Sequence, residues 1–269
     1  MPPPSRVAER IAAQIKRFQP ILTSAKDRDV GEADTSTIVK DMLSELLGYD
    51  KYSEITAEHL IKGTFCDLAI KLDGKLRVLI EVKAIGLDLK EAHSKQAVDY
   101  GANQGVEWVI LTNGIIWRVY RIVFAQPISQ DLVMELNFAA LNARSEAHID
   151  SLYLLSKEGY GKSLLDDYHQ QRQAMSRFFL GALILTDSVV DVIRRELRKL
   201  SPGVKFEVEE IREVLTHEVL KREVIEGDKA TDARKKITRA MAKAAKPVVV
   251  KDDAAVAIYS GPTTTGSEP

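Results

Sequence analysis

The sequence predicts an α/β (α+β) fold for the N-terminal half of the chain and a mostly helical C-terminal half. Between residues 65 and 123, segments in which apolar and polar residues alternate show the period of two that is typical of strands. Apolar residues at helical spacing flank these segments and separate them. Beyond about residue 145 only the helical spacing continues. We therefore expect a mixed sheet flanked by helices, followed by a helical extension.

Two helices precede the first predicted strand. The segment "VAERIAAQIKRFQPIL" has apolar residues at helical spacing: Val7, Ile11, Ile15 and Phe18. We expect this helix to end near Pro20, because proline lacks the N–H that a helix interior requires. The next segment, "GEADTSTIVKDMLSELLGYD", carries a second apolar stripe, and Gly48 is its expected stop signal.

A β-hairpin is predicted from residue 65 to residue 84, with its turn in "LDGK". Side chains alternate between the two faces of a strand, so parity assigns each residue to a face. The apolar face holds Cys66, Leu68 and Ile70 on the first strand and Val78, Ile80 and Val82 on the second. Both sets must face the same core, which predicts a register with an even residue sum and Leu72 opposite Leu76.

Charged residues meet on the other face of this hairpin. In the predicted register Asp67 lies opposite Glu81, and Lys83 follows two residues later. Opposed residues have Cβ atoms roughly 4.5–5.5 Å apart, so the carboxylates repel unless a proton or cation lies between them. Mg²⁺ would suit such oxygen ligands and activate a water for attack on a phosphodiester, with the lysine beside the developing charge. The alternative is a solvent-facing hairpin with scattered charges, as at Lys71 and Arg77.

A helix and a second hairpin complete the N-terminal half. The segment "DLKEAHSKQAVDYGANQG" returns to helical spacing and is expected to end at Gly105. "VEWVILT" and "IIWRVYRIV" then indicate two strands around a tight turn at Asn113-Gly114. We interpret this turn mainly as a hairpin device and Trp117 as a core residue.

Composition indicates an ordinary globular protein, with 45% hydrophobic and 29% charged residues. The formal net charge of −1 argues against a chain coated in positive potential but allows a local basic stripe. A single cysteine, Cys66, provides neither a disulfide framework nor a cysteine-built zinc site and suits a reducing cytoplasm. Since no apolar run approaches the roughly 18 residues of a membrane span, we expect a cytoplasmic protein with no membrane partner.

Five segments, in this order, resemble a known family: "GEADTSTIVKDMLSELLGYD", "CDLAI", "IEVKA", "SKQAVDYG" and "VILTNGIIWRVY". They resemble the N-terminal nuclease domain of type I restriction enzyme R subunits, in the PD-(D/E)xK nuclease superfamily, from about residue 31 to residue 125. The resemblance implies a restriction-endonuclease-like core that hydrolyses phosphodiester bonds in DNA with Mg²⁺ or Mn²⁺. It also implies restriction-modification partners.

The resemblance assigns roles to individual residues. Asp67 and Glu81 match the metal-binding carboxylates, and Lys83 matches the motif lysine. Gln96 and Tyr100 match the Gln-x-x-x-Tyr element of RecB-like nucleases, so we expect Gln96 to point toward the other three residues. A polar pair on an amphipathic helix is the alternative for these two positions.

Two further positions are less specific to the family. Glu32 matches an early acidic residue of the family, although an acid in the first turn of a helix also complements the helix dipole. Cys66 stands where the family name implies proline before Asp67, a replacement that occurs within the superfamily.

A basic segment, "DKATDARKKITRAMAKAAKP", lies near the C-terminus. Its cations are Lys229, Arg234, Lys235, Lys236, Arg239, Lys243 and Lys246, against Asp228 and Asp232. Such a segment could neutralise DNA phosphates. A solvated helix face is the alternative, and the acidic stretch "EVEEIREV" upstream could pair with the cations internally.

Together these observations predict a metal-dependent DNA endonuclease without its own ATPase motor, since neither the length nor the motifs of a motor are present. "SKEGYGKS" resembles a phosphate-binding loop, but Ser156 stands where that loop needs glycine. The alternative function is a non-catalytic DNA-binding, regulatory or assembly module, with a homodimer formed through the C-terminal helices. We divide the chain into an N-terminal helix (1–30), a nuclease-like domain (31–145), a helical region (146–250) and a flexible tail (251–269).

Overall fold

The computed structural model describes residues 2–61, 64–124 and 126–244. The chain divides into two compact units, residues 1–173 and residues 174–269. The tail predicted to be flexible lies outside the described residues.

A six-stranded mixed sheet forms the centre of the first unit. Its strands are β1 (Ile55–Ile61), β2 (Thr64–Leu72), β3 (Lys75–Val82), β4 (Trp108–Thr112), β5 (Ile116–Val123) and β6 (Ser129–Asn137). They lie side by side in chain order. All neighbouring pairs are antiparallel except β3 and β4, which are parallel because a helical crossover connects them.

Helices cover both faces of this sheet. One face packs against α1 (Ser5–Asp27) and α2 (Glu32–Asp41), which continues into a π-helical turn at Met42–Leu46. The other face packs against α3 (Glu91–Gln104), the crossover between β3 and β4. The predicted α/β fold, a mixed sheet flanked by helices, is confirmed.

Helix α1 does not end near Pro20, as the sequence suggested, but continues to Asp27. Proline inside a helix costs roughly 3 kcal/mol, because it removes one hydrogen bond and its ring crowds the preceding turn. Beyond it, Leu22 and Ala25 are fully buried in the core, and burying a leucine side chain alone stabilises by about 1.5–3 kcal/mol. Burial of the residues after Pro20 therefore offsets the cost of the proline, and the helix continues past it.

The first unit also includes helices that the sequence analysis assigned to a separate C-terminal region. They are α4 (Glu146–Leu155), α5 (Lys157–Gly161) and α6 (Leu164–Ala174). Leu152, Tyr153 and Leu165 are buried in the same apolar core as α1 and the sheet. A bidentate ion pair between Arg10 and Glu158 at 2.7–2.8 Å joins α1 to α5. These contacts place the unit boundary after residue 173 rather than near residue 145.

The hairpin of β2 and β3 has the predicted register in its middle and a different one at its turn. Leu68 lies opposite Ile80, and Ile70 opposite Val78, both with an even residue sum. At the turn Leu72 lies opposite Lys75 rather than Leu76, because Asp73 and Gly74 form a two-residue turn with positive φ angles of 51° and 71°. Such a turn requires an odd sum. The extra residue, Arg77, forms a bulge that reconciles the two registers.

The second unit is helical in its described part. Its helices are α7 (Arg177–Ile184), α8 (Asp187–Leu200), α9 (Val208–Val214), α10 (Arg222–Ile225) and α11 (Asp228–Ala244). This agrees with the predicted helical extension. In the part of the chain that the structure describes, no helix has both the length and the hydropathy required to cross a membrane.

Candidate active site

Three charged side chains meet where β3 ends. Glu81 is the last residue but one of β3, and Lys83 follows the strand. The ammonium group of Lys83 donates a hydrogen bond to Oε1 of Glu81 at 2.7 Å and lies 3.6 Å from Oε2 of Glu32. Glu32 is the first residue of α2, so the start of this helix reaches the end of the strand.

Asp67 joins these residues from the neighbouring strand. Its Oδ2 accepts a hydrogen bond from the backbone N–H of Val82 at 2.7 Å. The N–H of Lys83 donates to Thr112 in β4, so the preceding N–H points toward β2. The pairing of β2 with β3 ends at Leu68, and beyond it the carboxylate of Asp67 takes the place of a backbone acceptor for this N–H. We call Glu32, Asp67, Glu81 and Lys83 the acidic cluster.

The structure places Cys66 on the other face of the sheet from the one predicted. Cys66 is fully buried with Ala69 and Leu79 against α3, not with Leu68 on the other face of the sheet. Strict alternation fails between Cys66 and Leu68, beside the last pair of β2 with β3, Leu68 opposite Ile80. Burial raises the pKa of the Cys66 thiol to about 12, so the thiol stays neutral and donates to the carbonyl of Ile80 at 3.3 Å.

The acidic cluster is electrostatically short of positive charge. Burial raises the pKa of Glu81 and the charge of Asp67 raises it further, although the hydrogen bond from Lys83 opposes both. Burial also raises the pKa of Asp67, against the hydrogen bond from Val82. Burial acts to lower the pKa of Lys83, but its hydrogen bond with Glu81 and the surrounding carboxylates raise it overall. Lys83 therefore stays protonated, while ionising both carboxylates is disfavoured.

One carboxylate oxygen of this cluster is buried without a partner. The side chain of Glu81 is 3% exposed, and its Oε2 has no hydrogen bond within the described residues. Buried polar atoms normally have a partner, and an unpaired carboxylate oxygen is especially costly. Its position beside Asp67 suits a cation bound between the two groups.

The set of donors fits magnesium or manganese. Within the described residues, no group of three or more His, Cys, Asp or Glu side chains is placed so that it could hold a metal ion. Mg²⁺ does not require one, because it usually keeps several waters and binds through one or two carboxylates. Asp67 and Glu81 are the residues that would hold it.

Gln96 lies on the exposed side of helix α3. The residues that α3 buries are Ser94, Ala97, Val98 and Gly101. On the helical period Gln96 falls on the opposite, exposed side, where its amide donates to the hydroxyl of Tyr100 at 3.0 Å. Its side-chain hydrogen bond is with Tyr100 and not with a member of the acidic cluster, so the role of Gln96 at this site stays a prediction.

Asn113 is a residue whose importance the sequence analysis missed. The turn between β4 and β5 has Gly114 and Ile115 at its corners, one residue later than predicted, since the N–H of Asn113 donates to the carbonyl of Ile116. The buried amide of Asn113 donates to the carbonyls of Ile85 and Leu87 at 3.3 and 3.0 Å. Its Oδ1 accepts from the N–H groups of Ile115 and Ile116. Asn113 thus ties the segment after Lys83 to the sheet.

The basic segment lies on α11, in the second unit. Its described side chains are exposed: Lys229, Arg234, Lys235, Lys236 and Arg239. The side chain of Lys243 and all of Lys246 lie outside the described part of the structure. Ser156 does not belong to a nucleotide loop, since its hydroxyl caps α5 by accepting from the N–H of Gly159 at 3.1 Å.

Comparison with known proteins agrees with the sequence resemblance. Residues 38–132 match the family model described as type I restriction enzyme R protein N terminus (HSDR_N). The match covers about a third of the 269-residue chain, from within α2 into β6. It includes Asp67, Glu81 and Lys83 and excludes Glu32 and the second unit. Searches of curated proteins and of solved structures found no significant match.

Proposed function

We propose that this chain is a metal-dependent DNA endonuclease related to the nuclease domain of type I restriction R subunits, without its own ATPase motor. The observation that carries the proposal is the unpartnered Oε2 of Glu81, buried beside Asp67 within the segment that matches the family. Raised pKa values at both carboxylates indicate the same deficit of positive charge. A divalent cation would supply that charge.

Each residue of the acidic cluster then has a distinct task. Asp67 and Glu81 would hold Mg²⁺ or Mn²⁺, which supplies an activated water and stabilises charge on the phosphate when bound. Lys83 remains an ammonium group, because its pKa is raised, so it acts as a fixed positive charge beside the scissile phosphate rather than as a base. Glu32 helps to keep Lys83 charged and oriented from 3.6 Å away.

The proposed substrate and partners follow from the family. DNA is the substrate, and the activity would serve a restriction-modification system in the cytoplasm. A homodimer through the C-terminal helices would bring two such sites together, so that both strands of a duplex are cut.

One observation favours a second candidate, a DNA-binding or regulatory module that keeps the nuclease fold without catalysis. Gln96 faces solvent, so the supporting contact implied by RecB-like nucleases is not made by this residue. A site that lacks a supporting group could retain the cation without cleaving DNA.

A plasmid-nicking assay separates these candidates. Purified chain with Mg²⁺ or Mn²⁺ should convert supercoiled plasmid to nicked or linear forms. Asp67→Ala and Lys83→Ala should each lower the rate by at least about a hundredfold, the scale on which electrostatic groups contribute to catalysis. Glu135→Ala, which removes an exposed carboxylate paired with Arg118, is the control and should cleave normally. Equal nicking by all four proteins would reject the endonuclease, and no nicking by any would favour the binding module.

A further inference from the structure

Helix α11 has two chemically different sides. Ala230 and Ala233 are buried, and α11 packs against α7. The remaining surface carries the exposed cations of the helix, one of which, Lys236, lies over the ring of Phe179 at 6.0 Å. We call three of the others, Arg234, Lys235 and Arg239, the α11 basic face. Because Ala230 and Ala233 pack inward, the α11 basic face points toward solvent.

The α11 basic face differs from most of the other charge in its unit because it lacks ion pairs. Six cations elsewhere in residues 174–244 each lie within 4.0 Å of a carboxylate: Arg177, Arg194, Lys199, Lys205, Arg212 and Arg222. Within the described residues, no cation of the α11 basic face forms such a pair. Most of the unit neutralises its charge internally, and this face does not.

The upstream acidic stretch does not supply the missing partners. Glu207 pairs with Lys205 at 2.6 Å, and Glu209 pairs with Arg212 at 2.5 Å. Glu210 accepts a hydrogen bond from the backbone of Glu207. Among the described residues, the ion pairs of Glu207 and Glu209 are with near neighbours in sequence, and none of the three carboxylates pairs with α11, so the internal pairing considered from the sequence does not occur.

A shallow groove of about 360 Å³ runs along this face. Its lining contains cations and hydroxyls but no carboxylate: Thr231, Arg234, Lys235, Thr238 and Arg239. The hydroxyls of the two threonines donate to backbone carbonyls one turn earlier. Asp228 and Asp232 lie on the same helix but do not line the groove.

We propose that the α11 basic face binds the phosphate backbone of double-stranded DNA. Arginine presents a planar fork of donors that matches a phosphate, and lysine adds a point charge. From Arg234 to Arg239 the helix rises roughly 7.5 Å, about the axial distance covered by two phosphate steps of one strand. The choice of DNA rests on the proposed function, whereas the positive groove itself would suit any polyanion.

The test measures DNA binding by the full chain without metal. Glu81→Gln in every sample prevents cleavage, and EDTA removes divalent cations. Fluorescence anisotropy with a labelled duplex of about 20 base pairs gives the affinity from about 50 to 200 mM salt, the range over which phosphate contacts weaken strongly. Lys235→Ala/Arg239→Ala is compared with Lys199→Ala/Arg222→Ala, which removes the same charges from exposed, ion-paired positions of the same unit.

The α11 variant should bind about tenfold more weakly, and its slope of log affinity against log salt should fall by about 1.8, since each lost phosphate contact contributes about 0.9. The control variant should bind as the parent does. Equal losses in both variants, or an unchanged slope in the α11 variant, would overturn the proposal. So would displacement of the duplex by polyglutamate of equal charge as efficiently as by unlabelled duplex, because the partner would then be an acidic protein. A chain that never nicks plasmid still gives a result here, so failure of the nuclease proposal is distinguishable.

Discussion

The acidic cluster at the end of β3 and the basic face of α11 concentrate opposite charges in opposite surroundings. In the acidic cluster, Glu81 is 3% exposed and Lys83 is 12% exposed, and burial shifts the pKa of both carboxylates. On α11 the cations lie in solvent and make no ion pair among the described residues. Buried charge costs folding free energy, so its presence calls for a reason such as a bound cation. Exposed charge costs little folding free energy, so on α11 the informative feature is that the cations have no carboxylate partner among the described residues.

This difference predicts that substitutions near the acidic cluster affect folding and that those on α11 do not. The largest effect is expected at Asn113, which is buried and whose side chain takes part in four hydrogen bonds. Asn113→Ala should lower the free energy of unfolding by about 2–4 kcal/mol, because buried backbone groups lose their partners. Urea denaturation measures it. Asn142→Ala, at an exposed turn, should cost less than about 1 kcal/mol, and similar costs for the two would deny the positioning role of Asn113.

A smaller effect is expected when the buried lysine is removed. Lys83→Ala should destabilise the chain by about 2 kcal/mol, less than the 3–5 kcal/mol typical of a broken buried pair, because Glu81 can take up a proton instead. Lys235→Ala, on α11, should change the stability by less than about 0.5 kcal/mol. Thermal and urea unfolding of both variants give the comparison. If Lys235→Ala proved the more damaging change, the contrast between buried and exposed charge would fail.

The smallest effect is the pH dependence of the acidic cluster without metal. Because folding raises the pKa of Asp67, its contribution to stability is present below the unfolded pKa and is lost as pH rises through the folded one. Asp67→Asn cannot ionise and keeps an acceptor for the N–H of Val82. Its melting temperature relative to the parent should therefore increase from about pH 3.5 to pH 7. Melting curves in EDTA test this, and a difference that stays constant or falls over that range would contradict the raised pKa.

Much of the acidic cluster could be predicted from sequence, because strand parity is a local rule. It brought Asp67, Glu81 and Lys83 to one hairpin, and the observed middle register agrees. The conflict that produces the bulge at Arg77 was also visible, since a two-residue turn needs an odd sum and the apolar faces need an even one. Parity could not show that Asp67 accepts a backbone hydrogen bond or that Cys66 lies on the other face of the sheet.

The errors in the helices and at the sheet edges have a common cause in tertiary packing. Pro20 is tolerated because the residues after it are buried, which no local rule reports. Gly101 decides the orientation of α3, since a Cβ there would overlap Val109 and Ile122. The edge strand β6, "SQDLVMELN", lacks regular alternation and was not predicted, since its pairing with β5 depends on the rest of the sheet.

The central claim is that Asp67 and Glu81 together bind a divalent cation, and a thermal-shift titration with Mg²⁺ tests it most directly. At about 10 mM Mg²⁺ the parent chain should melt several degrees higher than in EDTA, because a ligand that binds only the folded state stabilises it. Asp67→Ala and Glu81→Ala should lose that increase, whereas Glu135→Ala, an exposed carboxylate paired with Arg118, should keep it. An equal increase in all four proteins, or no increase in the parent chain, would contradict the account.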